Sequence, residues 1–346
     1  MALTLYVDGD RWRAHLRQML ETHPGLVPVC KGNGYGFGLA RLARKAGWLG
    51  VDTLAAGTYG EVAEVFARYD GAVLVLTPWR PAEPAVYGPR IIHTVGRLED
   101  LRQLVDREDR PRVVLERMTS MRRHGFGARE LRGAGELVAS RGGVTVEGAA
   151  MHLPISTGSH LGEVDRLMTD VVAAGLTSNT VYVSHLTDTE LGRLRTSYPD
   201  FVFRPRIGTS LWLGDRVALR VRASVLDAHP VERGDTFGYR SRSMPKAGTI
   251  LVVSGGTAHG IGLEAPTGGA TLKDRAATLA KGGLDAAGFV RSPYTIDGKH
   301  RLFAEPPHMQ ASMLFLPTGA HVPAVGDEID VRVRYTTTTF DATEVS

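Results

Sequence analysis

The stretch Pro28-Val29-Cys30-Lys31-Gly32-Asn33-Gly34-Tyr35-Gly36-Phe37-Gly38 sets a lysine at the end of a short apolar run and follows it with four glycines in seven residues. A helical pattern of apolar residues begins at Leu39. Glycines let a backbone come close to a ligand, and the N-terminus of the following helix favours an anion. A lysine at the end of a barrel strand stands where barrel enzymes build their active sites. Without any relative in view, the stretch reads equally well as a glycine-rich turn with a surface lysine. Other residues read blandly on local sequence alone: Arg206 ahead of Gly208-Thr209 as a loop arginine, His152 after Met151 as a satisfied core histidine, Tyr239 after Gly238 as a packed ring, and Arg122-Arg123 as a solvated pair.

The elements that must position these residues alternate along the chain. Apolar runs at 25–30, 53–56, 72–76, 91–95, 112–116, 146–152, 180–184 and 201–204 read as strands. Helical patterns at 39–46, 58–69, 98–106, 128–140, 162–174 and 187–198 fall between them, after a first helix at 11–21. A proline-rich turn, 78–84, bounds the third run. About eight such units in roughly 215 residues predict a parallel (β/α)8 TIM barrel over 1–218. From 219 to 346 the runs become short and turn-rich, which predicts a mostly-β domain. The N-terminal strand 3–8 is assignable to either part. The small, polar stretch at about 260–300, with a helical piece at 272–281, reads as an insertion.

Composition narrows the function classes. The 346 residues carry a net charge of only +4 and contain no lysine/arginine block, so nucleic acid is not expected as a partner. No apolar run approaches the ~20 residues that span a bilayer, and residues 1–8 lack a secretory signal, so no membrane association and a cytoplasmic location are expected. Cys30 is the only cysteine; its apolar strand predicts a buried thiol, and a chain without disulfides suits a reducing compartment.

The residues 29–38 resemble the lysine motif of alanine racemases, Val-Val-Lys-Ala-Asn-Ala-Tyr-Gly-His-Gly, with Phe37 in place of the histidine. In that family, of fold-type III, the lysine carries pyridoxal 5'-phosphate and the tyrosine holds its phosphate. The resemblance therefore gives these roles to Lys31 and Tyr35. Gly234-Asp235-Thr236-Phe237-Gly238-Tyr239 resembles Gly-x-x-Val-Ser-Tyr-Gly. There the tyrosine reaches in from the partner subunit as the opposite-face base, which implies Tyr239 and a homodimer; Arg240 replaces the final glycine. A phenol near its ordinary pKa of about 10 needs cationic neighbours to serve as a base at neutral pH.

Arg206-Ile207-Gly208-Thr209 resembles Arg-Pro-Gly-Ile, which implies that Arg206 faces the pyridine nitrogen while Gly208 and Thr209 offer amides to the phosphate. Met151-His152-Leu153 resembles Thr-His-Phe, whose histidine links the tyrosine to that arginine. Val183-Ser184-His185 stands where the family contacts phosphate through Asn-Ser; Ser184 is the candidate, with His185 beside it. In Leu115–Gly125 the resemblance puts Arg123 on the substrate carboxylate and Glu116 where a lysine is often carbamylated, so an anion is kept at that position.

His308-Met309-Gln310 matches Cys-Met-Asp. Met309 keeps a backbone position toward the substrate carboxylate, and Gln310 replaces an acidic gate residue. Thr257 replaces a phosphate tyrosine. The family continues beyond the equivalent of Ser346 to an inner-gate tyrosine, so a wider entrance and substrates larger than alanine are expected. The reading is a pyridoxal-phosphate amino-acid racemase with Lys31 and Tyr239 as its two bases and no metal. The alternatives are a catalytically silent cofactor-binding paralogue and a fold-type III decarboxylase or lyase. The Gly-Glu-Pro-Gly-Arg stretch of such decarboxylases is absent.

Overall fold

The computed structural model describes residues 2–155, 158–263 and 290–346. The chain forms two compact units: Arg13–Asp215, and Met1–Trp12 together with Arg216–Ser346.

In the first unit, eight parallel strands close into a barrel in sequence order: Val27–Cys30, Thr53–Ala56, Ala72–Pro78, Ile91–Val95, Arg112–Arg117, Thr145–His152, Thr180–Ser184 and Val202–Ile207. The pairing of Val27 with Arg206 and Pro28 with Ile207 closes it. Inward side chains of alternate strand positions, including Val29, Ala55, Leu74, Ile92, Val114 and Tyr182, form one buried cluster. The lumen is therefore packed, and chemistry is left to its rim. Helices cover the outside with one apolar stripe each. In Leu39–Leu49 the buried positions are Leu39, Leu42, Ala43, Ala46 and Leu49, the spacing of a single helical face.

One connection departs from the sequence pattern. The helix expected over 58–69 is a tight turn, Tyr59–Glu61, followed by the short helix Val62–Phe66. Glu61 folds back to cap that turn, and Gly60 and Gly71 weaken helix on either side. As the proline-rich turn leads one to expect, residues 79–90 contain no helix, because Pro81, Pro84 and Pro89 cannot donate the bonds one requires.

The second unit is a mostly antiparallel sheet. Its strand order is Gly248–Ser254, Ala311–Pro317, Lys299–Phe303, Arg291–Ile296, Glu328–Val331, Leu219–Val231, Leu3–Val7, Ala342–Val345. Gly248–Ser254 also pairs with Leu219–Val231, which curls the sheet back on itself. Ala311–Pro317 buries Ser312, Leu314 and Leu316 and turns the alternate residues outward, the pattern of a sheet with one packed face. The N-terminal strand lies in this sheet, antiparallel to Leu219–Val231 and parallel to Ala342–Val345. Of the stretch 260–300, the helical piece at 272–281 lies outside the described residues, whereas Arg291–Ile296 is a strand of the main sheet. Among the described residues no helix is long and apolar enough to cross a membrane.

Candidate active site

The C-terminal ends of the barrel strands gather most of the residues singled out by chemistry. Lys31 follows the first strand directly. Its neighbourhood is built by Glu61, whose carboxylate accepts from the amides of Gly32 (2.9 Å), Gly57 (2.7 Å) and Thr58 (3.3 Å). A side chain at Gly57 would come within 2.9 Å of the Lys31 Cβ, so the second strand end is kept bare where the lysine passes. Burial holds the Lys31 amine below its usual range; the Arg123 and Arg206 charges reinforce this and Glu61 opposes it. The amine is thereby biased toward its neutral, nucleophilic form. Cys30, one residue earlier, is buried with its sulfur 3.6 Å from the Leu39 carbonyl. Burial pushes its thiol up to about 12, so it packs rather than reacts.

Tyr35 is held in the left-handed region at φ 54°, a conformation that costs a non-glycine residue roughly 1–3 kcal/mol and persists where the surroundings impose it. Its ring is buried, and burial raises its hydroxyl pKa. The hydroxyl lies against Gly208: a Cβ there would sit 2.0 Å from Tyr35 Oη. The turn after the first strand and the turn after the last strand therefore meet through a phenol and a bare backbone. Gly208 precedes the short helix Thr209–Leu213, and Thr209 is exposed at its start. Trp212, fully buried, ties this helix back by donating from Nε1 to the Val29 carbonyl at 2.7 Å.

Arg206 is buried at the end of the last strand. It donates to the Met151 carbonyl at 3.1 Å and stands 3.8 Å from the Glu116 carboxylate, while its buried Nε has no hydrogen-bond partner. Burial alone would lift the Glu116 carboxyl, but His124 and Arg206 overcome it and hold the group below its usual value. The His124 Nε2 is 3.6 Å from Glu116, an ion-pair rather than a hydrogen-bond separation. His152 pairs with Ser184, Nδ1 to Oγ, at 2.9 Å, and its own carbonyl accepts from Thr119 at 2.6 Å. Burial, helped by the Arg206 and Arg123 charges, drops the His152 pKa to about 3, so the ring is neutral at ordinary pH. His185, at φ 60°, spends Nδ1 on the Leu153 carbonyl, 2.7 Å away.

The barrel thus brings together Lys31, Tyr35, Arg123, His152, Ser184, Arg206, Gly208 and Thr209. Tyr239 and Met309 belong to the sheet unit. Tyr239 is no core residue: it is 84% exposed, and Met309 is 71% exposed. Beside Tyr239 the buried Glu305, absent from the sequence reading, pairs with the half-buried His308, 2.5 Å away. Glu61 was also missed. Its only local signal is the capping spacing Thr58-x-x-Glu61.

Comparison with known proteins places the fold. An alanine racemase of Mycolicibacterium vanbaalenii is 27% identical over 283 residues, 72% of this chain and 70% of that protein. The structure of an alanine racemase from Bartonella henselae with covalently bound pyridoxal phosphate superposes with a TM-score of 0.69 at 16% identity, covering 97% of this chain and 91% of that one. A histidine racemase from Leuconostoc mesenteroides does so at 0.68 and 17%, covering 100% and 97%. Residues 7–185, just over half of the chain, match the family described as alanine racemase, N-terminal domain. On that match, with the closed barrel and the C-terminal sheet shared with the solved structures, this chain belongs to the alanine racemase family.

Proposed function

We propose that this chain is a pyridoxal-phosphate-dependent amino-acid racemase that works as a homodimer, each site combining Lys31 with Tyr239 of the partner subunit. One observation carries the reading. A lysine with a depressed pKa, a buried arginine with an unsatisfied Nε and a phenol seated on a bare glycine turn converge on one rim of the barrel. The donor set suits the cofactor. Lys31 would hold it. Tyr35, Ser184 and the backbone at Gly208 and Thr209 would hold its phosphate, and Arg206 would direct the free Nε–H at its ring nitrogen. When bound, pyridoxal phosphate supplies an electron sink that makes the α-proton of an amino acid removable.

The rest is done by the protein. Arg123 and the backbone at Met309 receive the substrate carboxylate and orient the α-carbon. Lys31 takes or returns the α-proton on one face, and Tyr239 of the partner subunit does so on the other. Arg206 cannot give up its proton, so it holds a fixed charge at the ring nitrogen and does not join the proton traffic. Its partner Glu116 keeps that charge balanced in a buried place. His152, neutral at working pH, sits within the field of Arg206 and serves as a hydrogen-bonding link. The solved histidine racemase shows the same fold at a similar likeness, so the fold does not limit the substrate to alanine, and Gln310 removes a charge at the entrance. We take the substrate class to be amino acids that include side chains larger than a methyl group.

The test is reductive trapping followed by a substrate panel. Borohydride treatment of the protein saturated with pyridoxal phosphate should place the label on Lys31 in a peptide map. The protein should then form D-isomers from some of L-alanine, L-serine, L-lysine and L-histidine. A label on another lysine overturns the Lys31 assignment. Release of carbon dioxide or an α-keto acid in place of a D-isomer overturns the racemase reading.

A further inference from the structure

We propose that Glu305 and His308 are a positioning pair that fixes the Tyr239 phenol for proton transfer; the proposal rests on Tyr239 being the second base. The geometry is built rather than incidental. Glu305 is buried, and it uses both carboxylate oxygens: Oε1 lies 2.5 Å from His308 Nε2, and Oε2 accepts the Tyr239 amide at 3.1 Å. Gly238 makes the second contact possible. It sits at φ 70°, and a Cβ there would fall 2.1 Å from Glu305 Oε2, so any side chain would expel the carboxylate from the turn. The imidazole then meets the phenol, with ring centroids 4.4 Å apart and planes at 51°.

The platform under the histidine is rigid. His308 donates its amide to the Ala311 carbonyl, and its own carbonyl accepts from Thr257 at 2.8 Å. The next carbonyl, of Met309, accepts from Ala258 at 2.9 Å. A side chain at Gly256 would collide with the His308 carbonyl at 2.2 Å. One carboxylate therefore fixes the backbone of an exposed tyrosine and the ring that flanks its side chain. An exposed tyrosine without such contacts would spread over several rotamers, and a base that must meet one face of an α-carbon loses rate when displaced by an ångström. A carboxylate accepting from Nε2–H also sets the histidine tautomer, leaving the lone pair on Nδ1.

Glu305→Gln separates these effects from folding. The amide oxygen still accepts from the Tyr239 amide, but the NH2 group faces Nε2 and forces the ring proton onto Nδ1. His308→Phe keeps a ring without its nitrogens. The holoenzyme variants are compared with wild type by kcat, KM, α-deuterium isotope effects from each enantiomer, and 13C NMR of ring-labelled tyrosine, with the Tyr239 signal assigned by Tyr239→Phe. We expect kcat to fall about tenfold to a hundredfold with KM nearly unchanged. The isotope effect should rise for the enantiomer whose proton Tyr239 removes and fall for the other, and the Tyr239 signal should move in both variants. Unchanged isotope effects overturn the proposal even if the signal moves. So does a loss of rate that comes with a matching loss of unfolding stability and no isotope asymmetry. Full racemisation by Tyr239→Phe overturns the two-base reading itself, and it is distinguished because the NMR signal still reports whether Glu305 and His308 hold the ring.

Discussion

Glu116 places a buried negative charge at the barrel rim. It is buried beside the buried Arg206, and the pair neutralise each other where water cannot. Removing one partner of a buried pair leaves an uncompensated charge, which costs about 3–5 kcal/mol. Glu116→Gln should therefore lower the urea unfolding free energy at pH 7 by about 3 kcal/mol, because Arg206 stays charged. The pH dependence has a definite sign. The Glu116 carboxyl is held below its ordinary value of 4.5 in the folded state by His124 and Arg206. Its contribution is present above about 4.5 and is lost as the pH falls through the lower folded value. The difference between wild type and Glu116→Gln should be constant from pH 6 to 8 and shrink in acid. A constant difference down to pH 3 would show that the two residues do not interact as an ion pair.

Residues such as Lys31, Tyr35 and Arg206 were legible in the sequence because each sits in a contiguous stretch whose glycines and strand end travel with it. Glu61 and Glu305 were not. They act through backbone amides 29 and 66 residues away, and a carboxylate on a neighbouring turn leaves no spacing that a linear reading can detect. The exposure of Tyr239 was likewise hidden, since a tyrosine after a glycine in a β-domain has the composition of a core residue.

At the level of elements, the barrel rim depends on two turns meeting. The strand Val27–Cys30 and the helix Thr209–Leu213 are tied by Trp212 to the Val29 carbonyl, and Tyr35 fills the space that Gly208 leaves. Gly208→Ala puts a methyl group where the phenol oxygen stands. Tyr35 cannot retreat, because its own backbone is already in the left-handed region. We expect the unfolding free energy to fall by about 1–3 kcal/mol, and Tyr35→Phe in the same chain to recover part of the loss. No recovery in the double variant would locate the cost in the helix. The strand and helix periods that revealed the barrel were clear because parallel strands are apolar throughout and their helices carry one stripe. The sheet unit was harder to read. Ala342–Val345 pairs with Leu3–Val7 from the opposite end of the chain, and Arg291–Ile296 is short and polar in alternation, so it passed for part of an insertion.

For the whole molecule, the proposal places the two bases on different units of the chain and in different subunits of the dimer. A C2 dimer that exchanges a residue this way has two equivalent sites, each needing a lysine from one chain and a tyrosine from the other. Lys31→Ala and Tyr239→Phe homodimers should each be inactive. If equal amounts are unfolded together and refolded, random pairing makes about half of the dimers mixed. Each mixed dimer then has one site with both mutations and one site with neither. Activity should return to about a quarter of the wild-type value, and it should track the fraction of mixed dimers resolved by mass spectrometry. If the two bases came from one chain, each chain would lack one base and no mixture could recover activity. Mixed dimers that form but stay inactive would therefore place Tyr239 in its own chain's site, or outside any site.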